Sequence, residues 1–256
     1  MRVRRAAPAQ PIELTGHLDE LRSRLIIILG VLGLGVSLCF WRSGEILAFL
    51  QGPLPDGRET KFLATNPLDP LMTSISISIY GGLLLAVPVA SYQLYAFLIP
   101  AVDEQHHRSL RPLVAMVPAL FIAGAAFGWY LVVPPSLDFL LGFNDDQFHT
   151  LLRAKDYIQY VALTLLAMGL VFELPVVMMI LARLKVVSST MMRRHWRTSI
   201  VGLATVAMLL PGVDPISFVV EFLPLLGLYA VSYAVVVTVE RRARPSTAAG
   251  TGFSAG

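Results

Sequence analysis

Long apolar stretches separated by short polar segments dominate this sequence. Several of them approach or exceed the roughly 20 apolar residues that a helix needs to cross a hydrocarbon core of about 30 Å. Backbone polar groups in lipid are satisfied only in helices or closed barrels, and no strand-like alternation runs through many segments. We therefore predict an all-α polytopic membrane protein with six transmembrane helices. The predicted spans are Leu25–Trp41, Leu71–Ile99, Leu113–Val133, Tyr157–Ala182, Thr198–Leu210 and Ile216–Val239.

The fifth predicted span is unusually short. At 1.5 Å per residue it would reach only about 20 Å, which is less than the thickness of a relaxed hydrocarbon core. It ends in the segment Pro211–Gly212–Val213–Asp214–Pro215, whose composition is that of a tight turn. We expect this hairpin to turn before it reaches the full outer surface, and misplaced span ends are the alternative.

Composition narrows the class of function. The chain has 256 residues, of which 55% are hydrophobic and 14% are charged, whereas a soluble domain has about 25% charged residues. This argues against a water-soluble enzyme. The single cysteine, Cys39, excludes an internal disulfide framework, and a net charge of +3 with scattered carriers argues against nucleic-acid binding. Because no metalloprotease, serine hydrolase or phosphate-binding motif occurs, we expect no catalytic site, metal or cofactor.

The distribution of basic residues predicts the orientation. Six spans place both termini on one side, and most Lys and Arg residues lie in the two tails, the second loop and the fourth loop. The positive-inside rule then makes both termini cytoplasmic. We predict a cytoplasmic tail and amphipathic helix over residues 1–24, a six-helix membrane domain over residues 25–239, and a disordered cytoplasmic tail over residues 240–256. The opposite face has only Arg42, Arg58, Lys61, Arg153 and Lys155.

The segment before the first span has the pattern of an amphipathic helix. Apolar residues at positions 14, 18, 21 and 25 form one stripe. Glu20 and Arg24 are four residues apart, so they can pair on the polar side. Such a helix can lie on the cytoplasmic lipid surface and lead into the first span. A solvated anchor without further role is the alternative.

Two acidic residues fall inside the predicted spans. Glu173 lies near the bilayer midplane, where a carboxylate costs several kcal/mol unless it is protonated, paired or hydrated. We expect it to face a cavity or another helix and to have a functional role, although a protonated acid bonded to a neighbouring helix would also fit. Pro175 predicts a bend at the same level. Glu221 lies early in the last span, where snorkelling to water is expected.

The second loop presents acidic residues on a face where bases dominate. Asp103 and Glu104 are candidates for binding a basic ligand, or they balance the arginines that follow. The adjacent residues His106 and His107 point apart, so they make a poor metal pair.

Six short motifs in order give the chain a family resemblance. It resembles the TatC family, the multi-spanning receptor core of the twin-arginine protein translocase, over nearly its whole length outside the C-terminal tail. Each motif alone is modest, but the ordered set together with six spans and inside termini is specific. The motifs are His17–Arg24, Gly52–Leu54, Thr65–Asp69, Tyr92–Pro100, Phe172–Pro175 and Pro211–Pro215.

The resemblance implies a function and a set of sites. The family binds paired-arginine signal peptides of folded proteins at the cytoplasmic membrane and works with single-span TatA-like and TatB-like partners, driven by the protonmotive force. It implies an oligomeric, non-enzymatic assembly without a cofactor. Glu173 matches a buried acid thought to meet a partner helix, and Pro53 and Asp214 match outer-face positions that influence assembly. The positions implied in signal-peptide binding are Glu20, Arg22, Phe97 and Pro100.

The chain departs from the family pattern at two positions. His106 stands where the family usually has an acid, and the nearest acid, Glu104, comes two residues earlier. Either Glu104 substitutes through a shifted loop, and so joins the predicted signal-peptide site, or the ligand preference differs. Phe218 stands where the family often has Gln.

Two other classes of function compete with a translocase receptor. A proton-coupled small-solute transporter would use Glu173 as its relay and would need further polar groups inside the membrane. An intramembrane hydrolase would need a nucleophile with a nearby base, for which the sequence offers no candidate.

Overall fold

The computed structural model describes residues 12–54, 62–98, 116–143, 152–212 and 214–243, and every regular element in these ranges is helical. A π-helical turn, Gly128–Val132, joins the fourth helix to the fifth. We number the α-helices of these ranges α1 to α10 in chain order. They are α1 Ile12–Trp41, α2 Ser43–Leu50, α3 Asp69–Leu98, α4 Val117–Phe127, α5 Val133–Gly142, α6 Ala154–Phe172, α7 Leu174–Arg183, α8 Ser189–Arg194, α9 Trp196–Leu209 and α10 Pro215–Ala243.

The helices confirm the predicted all-α membrane architecture. In the described ranges, five helical stretches are long and apolar enough to cross a bilayer, and α9 is a shorter apolar helix. With 14 residues, α9 reaches about 21 Å, so the prediction of a short fifth span is confirmed. The long stretches are Asp19–Trp41, Asp69–Phe97, Val117–Gly142, Ala154–Arg183 and Pro215–Arg241.

Small residues allow close approach where the first two spans pack together. Helix α1 packs along α3, α4 along α6, and α7 along α10. A Cβ atom at Gly82 of α3 would lie 2.9 Å from the backbone nitrogen of Val36 in α1, and one at Gly81 would lie 2.7 Å from the sulfur of Cys39. Because neither position has a side chain, the two backbones come closer than larger residues permit, as is usual between membrane helices.

The third span is longer than predicted. The predicted end at Val133 was wrong, because the helical stretch continues to Gly142. Pro134 and Pro135 lie in the first turn of α5, where a missing N–H is tolerated because it has no partner inside the helix. In the π-helical turn that precedes them, the hydrogen-bond pattern shifts, which accommodates the two amide hydrogens that the prolines lack. The extra turns bring Ser136 into the bundle, where it is fully buried.

The fourth span is interrupted at Glu173. Helix α6 ends at Phe172, and α7 begins at Leu174 with Pro175 in its first turn. The carbonyl of Glu173 accepts hydrogen bonds from the amides of Val176 and Val177 at 2.9 and 3.1 Å, so the chain continues as a new helix. The disturbance predicted from Pro175 is therefore confirmed as a break between two helices.

The ends of the membrane domain differ slightly from the predicted bounds. The segment predicted as an amphipathic helix belongs to α1, which runs from Ile12 to Trp41 without interruption. At the other end, α10 continues past Val239 to Ala243. The tails predicted before residue 12 and after residue 243 lie outside the described residues.

The loop between the first two spans contains a helix that was not predicted from the sequence. Helix α2 has eight residues and buries none of them, so it lacks the apolar length by which the membrane spans were predicted. Its Phe49 ring stacks on Trp129 with 4.7 Å between centroids and 7° between planes. The Tyr157 hydroxyl donates to the carbonyl of Leu50. These contacts fix the loop against the third and fourth spans.

Candidate functional site

At one end of the bundle, Glu20 lies in an ion pair within α1. Its Oε1 accepts hydrogen bonds from Arg24 Nε at 3.1 Å and from Arg24 Nη2 at 2.5 Å. The pairing predicted from their spacing is thus confirmed. Arg24 also donates from Nη1 to Oε1 of Gln93 on α3 at 2.8 Å. The guanidinium therefore joins the carboxylate to the second span.

A small cleft beside this ion pair contains another predicted residue, Phe97. It has a volume of about 90 Å³ and lies between α1 and the end of α3. The structure thus brings Phe97 to the same end of the bundle as Glu20. Arg22 is exposed and points away from the pair, because residues two apart lie on different sides of a helix. The cleft is lined by Leu21, Arg24, Leu25, Ile28, Gln93, Leu94 and Phe97.

The remaining predicted signal-peptide residues lie in the second loop. Pro100 and Glu104, together with His106, lie outside the described residues. Glu20 with Arg24, Gln93 and Phe97 is therefore the part of the site that the structure describes.

Glu173 is enclosed by its own chain. It is 2% exposed, and its Oε2 accepts a hydrogen bond of 3.0 Å from the hydroxyl of Tyr95 on α3. Its Oε1 is buried without a well-formed hydrogen bond to the described part of the chain, and the Ser91 hydroxyl lies nearby. The expectation that this acid faces another helix is met by α3. The alternative interpretation of Glu173, a protonated acid bonded to a neighbouring helix, describes the same contact.

The two predicted outer-face residues occupy structured turns. Pro53 lies in the turn after α2, where the amide of Leu54 donates to the carbonyl of Gln51 at 3.1 Å. Asp214 precedes α10, and its Oδ1 accepts from the amides of Ile216 and Ser217 at 3.1 and 2.8 Å. This is the geometry of a helix N-cap. Both turns follow an odd number of spans after Glu20, so they stand at the opposite end of the bundle.

A loop motif before the second span links two segments at the end of the bundle opposite to Glu20. Asp69 Oδ2 accepts from the backbone amides of Thr65 and Asn66 at 2.7 and 2.9 Å. Arg153, just before the fourth span, donates from Nη2 to the Thr65 hydroxyl at 2.6 Å. The polar residues of this motif therefore hold the loop against the start of another span.

Glu221 is buried, and the expectation that it snorkels to water was wrong. Its side chain is 0% exposed, and neither carboxyl oxygen has a hydrogen-bond partner in the part of the chain that the structure describes. Tyr160 and Asp214 act on each other and on Glu221 electrostatically. The Asp214 carboxylate also accepts from the Ser217 hydroxyl, which is bonded to Ser136. We call these five residues the outer polar cluster.

Only part of this cluster could have been recognised from the sequence. Ser217 and Glu221 are four residues apart and so share a helix face, but Ser136 lay beyond the predicted end of its span. Within the described ranges, no three His, Cys, Asp or Glu side chains converge as metal ligands would.

Comparison with known proteins places the chain among translocase components. The family model described as "Sec-independent protein translocase protein (TatC)" matches residues 16–224. TatC of Synechocystis sp. is 32% identical over 219 residues, which are 85% of this chain and 85% of that protein. The chloroplastic TATC of Arabidopsis thaliana is 32% identical over 214 residues, and the match spans 83% of this chain but only 63% of the plant protein.

A solved structure has the same fold. The crystal structure of a twin arginine translocase receptor, TatC, superimposes with a TM-score of 0.74 at 30% sequence identity, covering 88% of this chain and all of that one. The residues that the family model matches include all six ordered motifs. The chain therefore belongs to the TatC family of multi-pass membrane proteins of the Sec-independent protein translocase.

Proposed function

We propose that this chain is the receptor subunit of a twin-arginine translocase in the cytoplasmic membrane, with both termini in the cytoplasm. In this role it binds paired-arginine signal peptides of folded proteins and assembles with TatA-like and TatB-like single-span partners for export driven by the protonmotive force. The observation that carries the proposal is the Glu20 carboxylate, which already binds a guanidinium at the end of the bundle that has an excess of arginines. The membership of the chain in the TatC family indicates the class of ligand, which is a paired-arginine signal peptide.

The geometry at Glu20 suits an arginine ligand. Arg24 uses Oε1 for both of its bonds, and Oε2 has no hydrogen bond to the described residues. The Glu20 side chain is 36% exposed, so an incoming guanidinium can reach this oxygen. Carboxylates bind guanidinium groups through charge-assisted, often two-point hydrogen bonds. The Phe97 ring at the neighbouring cleft offers apolar surface to residues that follow the arginines in a signal peptide.

The charge distribution supports a cytoplasmic position for this end. Arg193, Arg194 and Arg197 follow the fourth span and are exposed, as is Arg241 at the end of α10. These residues stand at the same end of the bundle as Glu20, because even numbers of spans separate them from it. Basic residues near span ends favour the cytoplasmic side.

Glu173 supports the proposed contact with a single-span partner. It lies inside the fourth span at the junction of α6 and α7, and its Oε1 has acceptor capacity that Tyr95 does not use. A partner helix that brings a hydrogen-bond donor to this level would satisfy this oxygen once the surrounding side chains move aside. Pro53 and Asp214 shape the outer turns, so we assign them to assembly at the outer face.

Binding of a paired-arginine peptide to the full chain in nanodiscs tests the receptor role. Glu20→Gln should weaken binding about tenfold or more, since a hydrogen bond to a charged group contributes about 1.5–3 kcal/mol. Glu45→Gln is a matched control, because Glu45 also pairs with an arginine, Arg42 Nη1 at 2.6 Å, but at the opposite end of the bundle. Equal affinities of the Glu20 and Glu45 variants would refute the proposed site.

A second experiment tests the partner contact. Glu173→Ala should reduce co-purification of a single-span partner from native membranes more than it reduces peptide binding, while Glu173→Gln, which keeps an acceptor oxygen, should retain more of the partner. Loss of peptide binding with full retention of the partner would contradict the assignment. Family membership gives no support to the competing solute transporter. Solute uptake into liposomes by the purified chain, lost in Glu173→Gln, would revive that alternative.

A further inference from the structure

The outer polar cluster contains one carboxyl group, that of Glu221, without a hydrogen-bond partner among the described residues. Glu221 lies seven residues after the N-cap Asp214, about 10 Å deeper along α10. It is fully buried, and both of its oxygens lack a hydrogen bond to the described residues. The Tyr160 hydroxyl is also buried, lies beside Ser136 and Ser217, and forms no well-aligned bond with them. Three polar atoms inside the bundle therefore need a partner.

Among the residues that the structure describes, no basic side chain acts on Glu221 electrostatically to neutralise a charge there. The groups that act on it electrostatically are Asp214, which is itself acidic, and Tyr160. An ionised carboxylate at this depth, without a partner, would cost many kcal/mol. In the described ranges, the other titratable side chains on the elements packed against α10 stand near helix ends or are exposed. They are Arg183 on α7, Arg193 and Arg194 on α8, Arg197 on α9, Asp138 on α5 and Tyr130 in the π-helical turn.

Asp214, at one end of the cluster, is 6% exposed. Asp214 borders a pocket of about 440 Å³ between α9 and the start of α10. From Asp214, a hydrogen-bonded series leads inward through the Ser217 hydroxyl to the Ser136 hydroxyl on α5. The Tyr160 hydroxyl lies beside both serines and within electrostatic range of Glu221. Polar groups thus extend from an open pocket to the buried carboxyl.

We propose that Glu221 is an internal proton-binding site, holding its carboxyl neutral together with a water molecule shared with Tyr160, and exchanging its proton with the surface through Ser217 and Asp214. The bound proton removes the charge that burial opposes. The carboxyl O–H donates to the water, which donates one hydrogen back to the second carboxyl oxygen and the other to the Tyr160 oxygen. Every polar atom that the protein leaves unpaired then has a partner, as is usual for buried water.

This site is independent of the proposed receptor function. The residues that bind the proton lie on α5, α6 and α10 toward the outer end, whereas the proposed peptide site lies on α1 and α3 at the other end. Failure of peptide binding would leave the proton site standing, and the reverse also holds.

Infrared difference spectroscopy of the full chain in nanodiscs tests the proposal. A neutral carboxyl has a carbonyl stretching band that an ionised carboxylate lacks. Glu221→Gln should remove one such band, and the matched control Glu173→Gln should leave that band in place. If Glu221→Gln removes no protonated-carboxyl band, Glu221 is ionised and binds a cation instead, which would overturn the proposal.

Variants that leave Glu221 intact test the water and the exchange path. Tyr160→Phe should shift the Glu221 band, because the shared water loses one partner; an unshifted band would overturn the bridge to Tyr160. In D₂O the band should move as deuterium replaces the proton, and Ser217→Ala should slow this exchange severalfold. Exchange at an unchanged rate in Ser217→Ala, or no exchange in the wild-type chain, would refute the path to Asp214.

Discussion

The hydrogen bond between Tyr95 and Glu173 joins the second span to the break in the fourth. The two residues are 78 positions apart, their donor and acceptor atoms are 3.0 Å apart, and both side chains are buried. Tyr95→Phe removes the donor and keeps the ring that packs among Val117, Val176 and Met179. The change therefore isolates the hydrogen bond from the apolar contacts.

The size of the effect follows from the burial of the acceptor. Removing one partner of a buried hydrogen bond costs about 1–3 kcal/mol in soluble proteins. Bonds between membrane helices average about 0.6 kcal/mol with a maximum near 1.7, because the unfolded chain in the membrane also finds partners. Glu173 keeps no other well-formed side-chain bond in the described ranges, so we expect Tyr95→Phe to lower the free energy of unfolding by about 1–2 kcal/mol.

Reversible unfolding in mixed micelles measures this difference. Tyr92→Phe is the control, because Tyr92 lies on the same helix, is 39% exposed and donates no hydrogen bond to the described residues. A double-mutant cycle of Tyr95→Phe with Glu173→Leu should give a coupling energy of about 0.5 kcal/mol or more. Destabilisation by Tyr95→Phe no larger than that by Tyr92→Phe, with additive effects in the cycle, would refute the reasoning.

Three further substitutions have expected effects on stability in the same unfolding assay. Gly124→Ala should destabilise the chain by about 1–3 kcal/mol, because its Cβ would lie 2.5 Å from the backbone carbonyl oxygen of Met168. Gly227→Ala is the control, because a Cβ there meets nothing within 4 Å. Equal effects of the two substitutions would contradict the prediction. Asp214→Ala should cost about 0.5–2 kcal/mol through loss of the N-cap, while Asp214→Asn should cost less; the reverse order would count against the cap. Lys185→Gly should stabilise by about 0.5–1 kcal/mol, because Lys185 has a φ of 60° after the end of α7, and a loss of stability would show that its side chain compensates for the strain.

Local features of the sequence predicted local features of the site. The pair Glu20 and Arg24 followed from their spacing on one helix, and a bend beside Glu173 was predicted from Pro175, where the structure has a break between two helices. Gln93 on the second span accepts a hydrogen bond from Arg24. This contact could not be predicted from the sequence, because it depends on how α1 and α3 are placed against each other. The continuation of the third span past Val133 was missed because Pro134 and Pro135 suggested a helix end, whereas a π-helical turn lets them begin a new helix.

The sequence by itself determined how many spans the chain has, that the fifth is short and which ends have the basic residues. Hydropathy, helix rise and charge count are properties of each segment against the lipid, so they need no knowledge of its neighbours. Only the tertiary structure decided which acids are enclosed. Glu221 is buried and Glu173 meets Tyr95 because of the rotation of each helix about its axis and its register against helices distant in sequence, and this depends on the packing of the whole bundle.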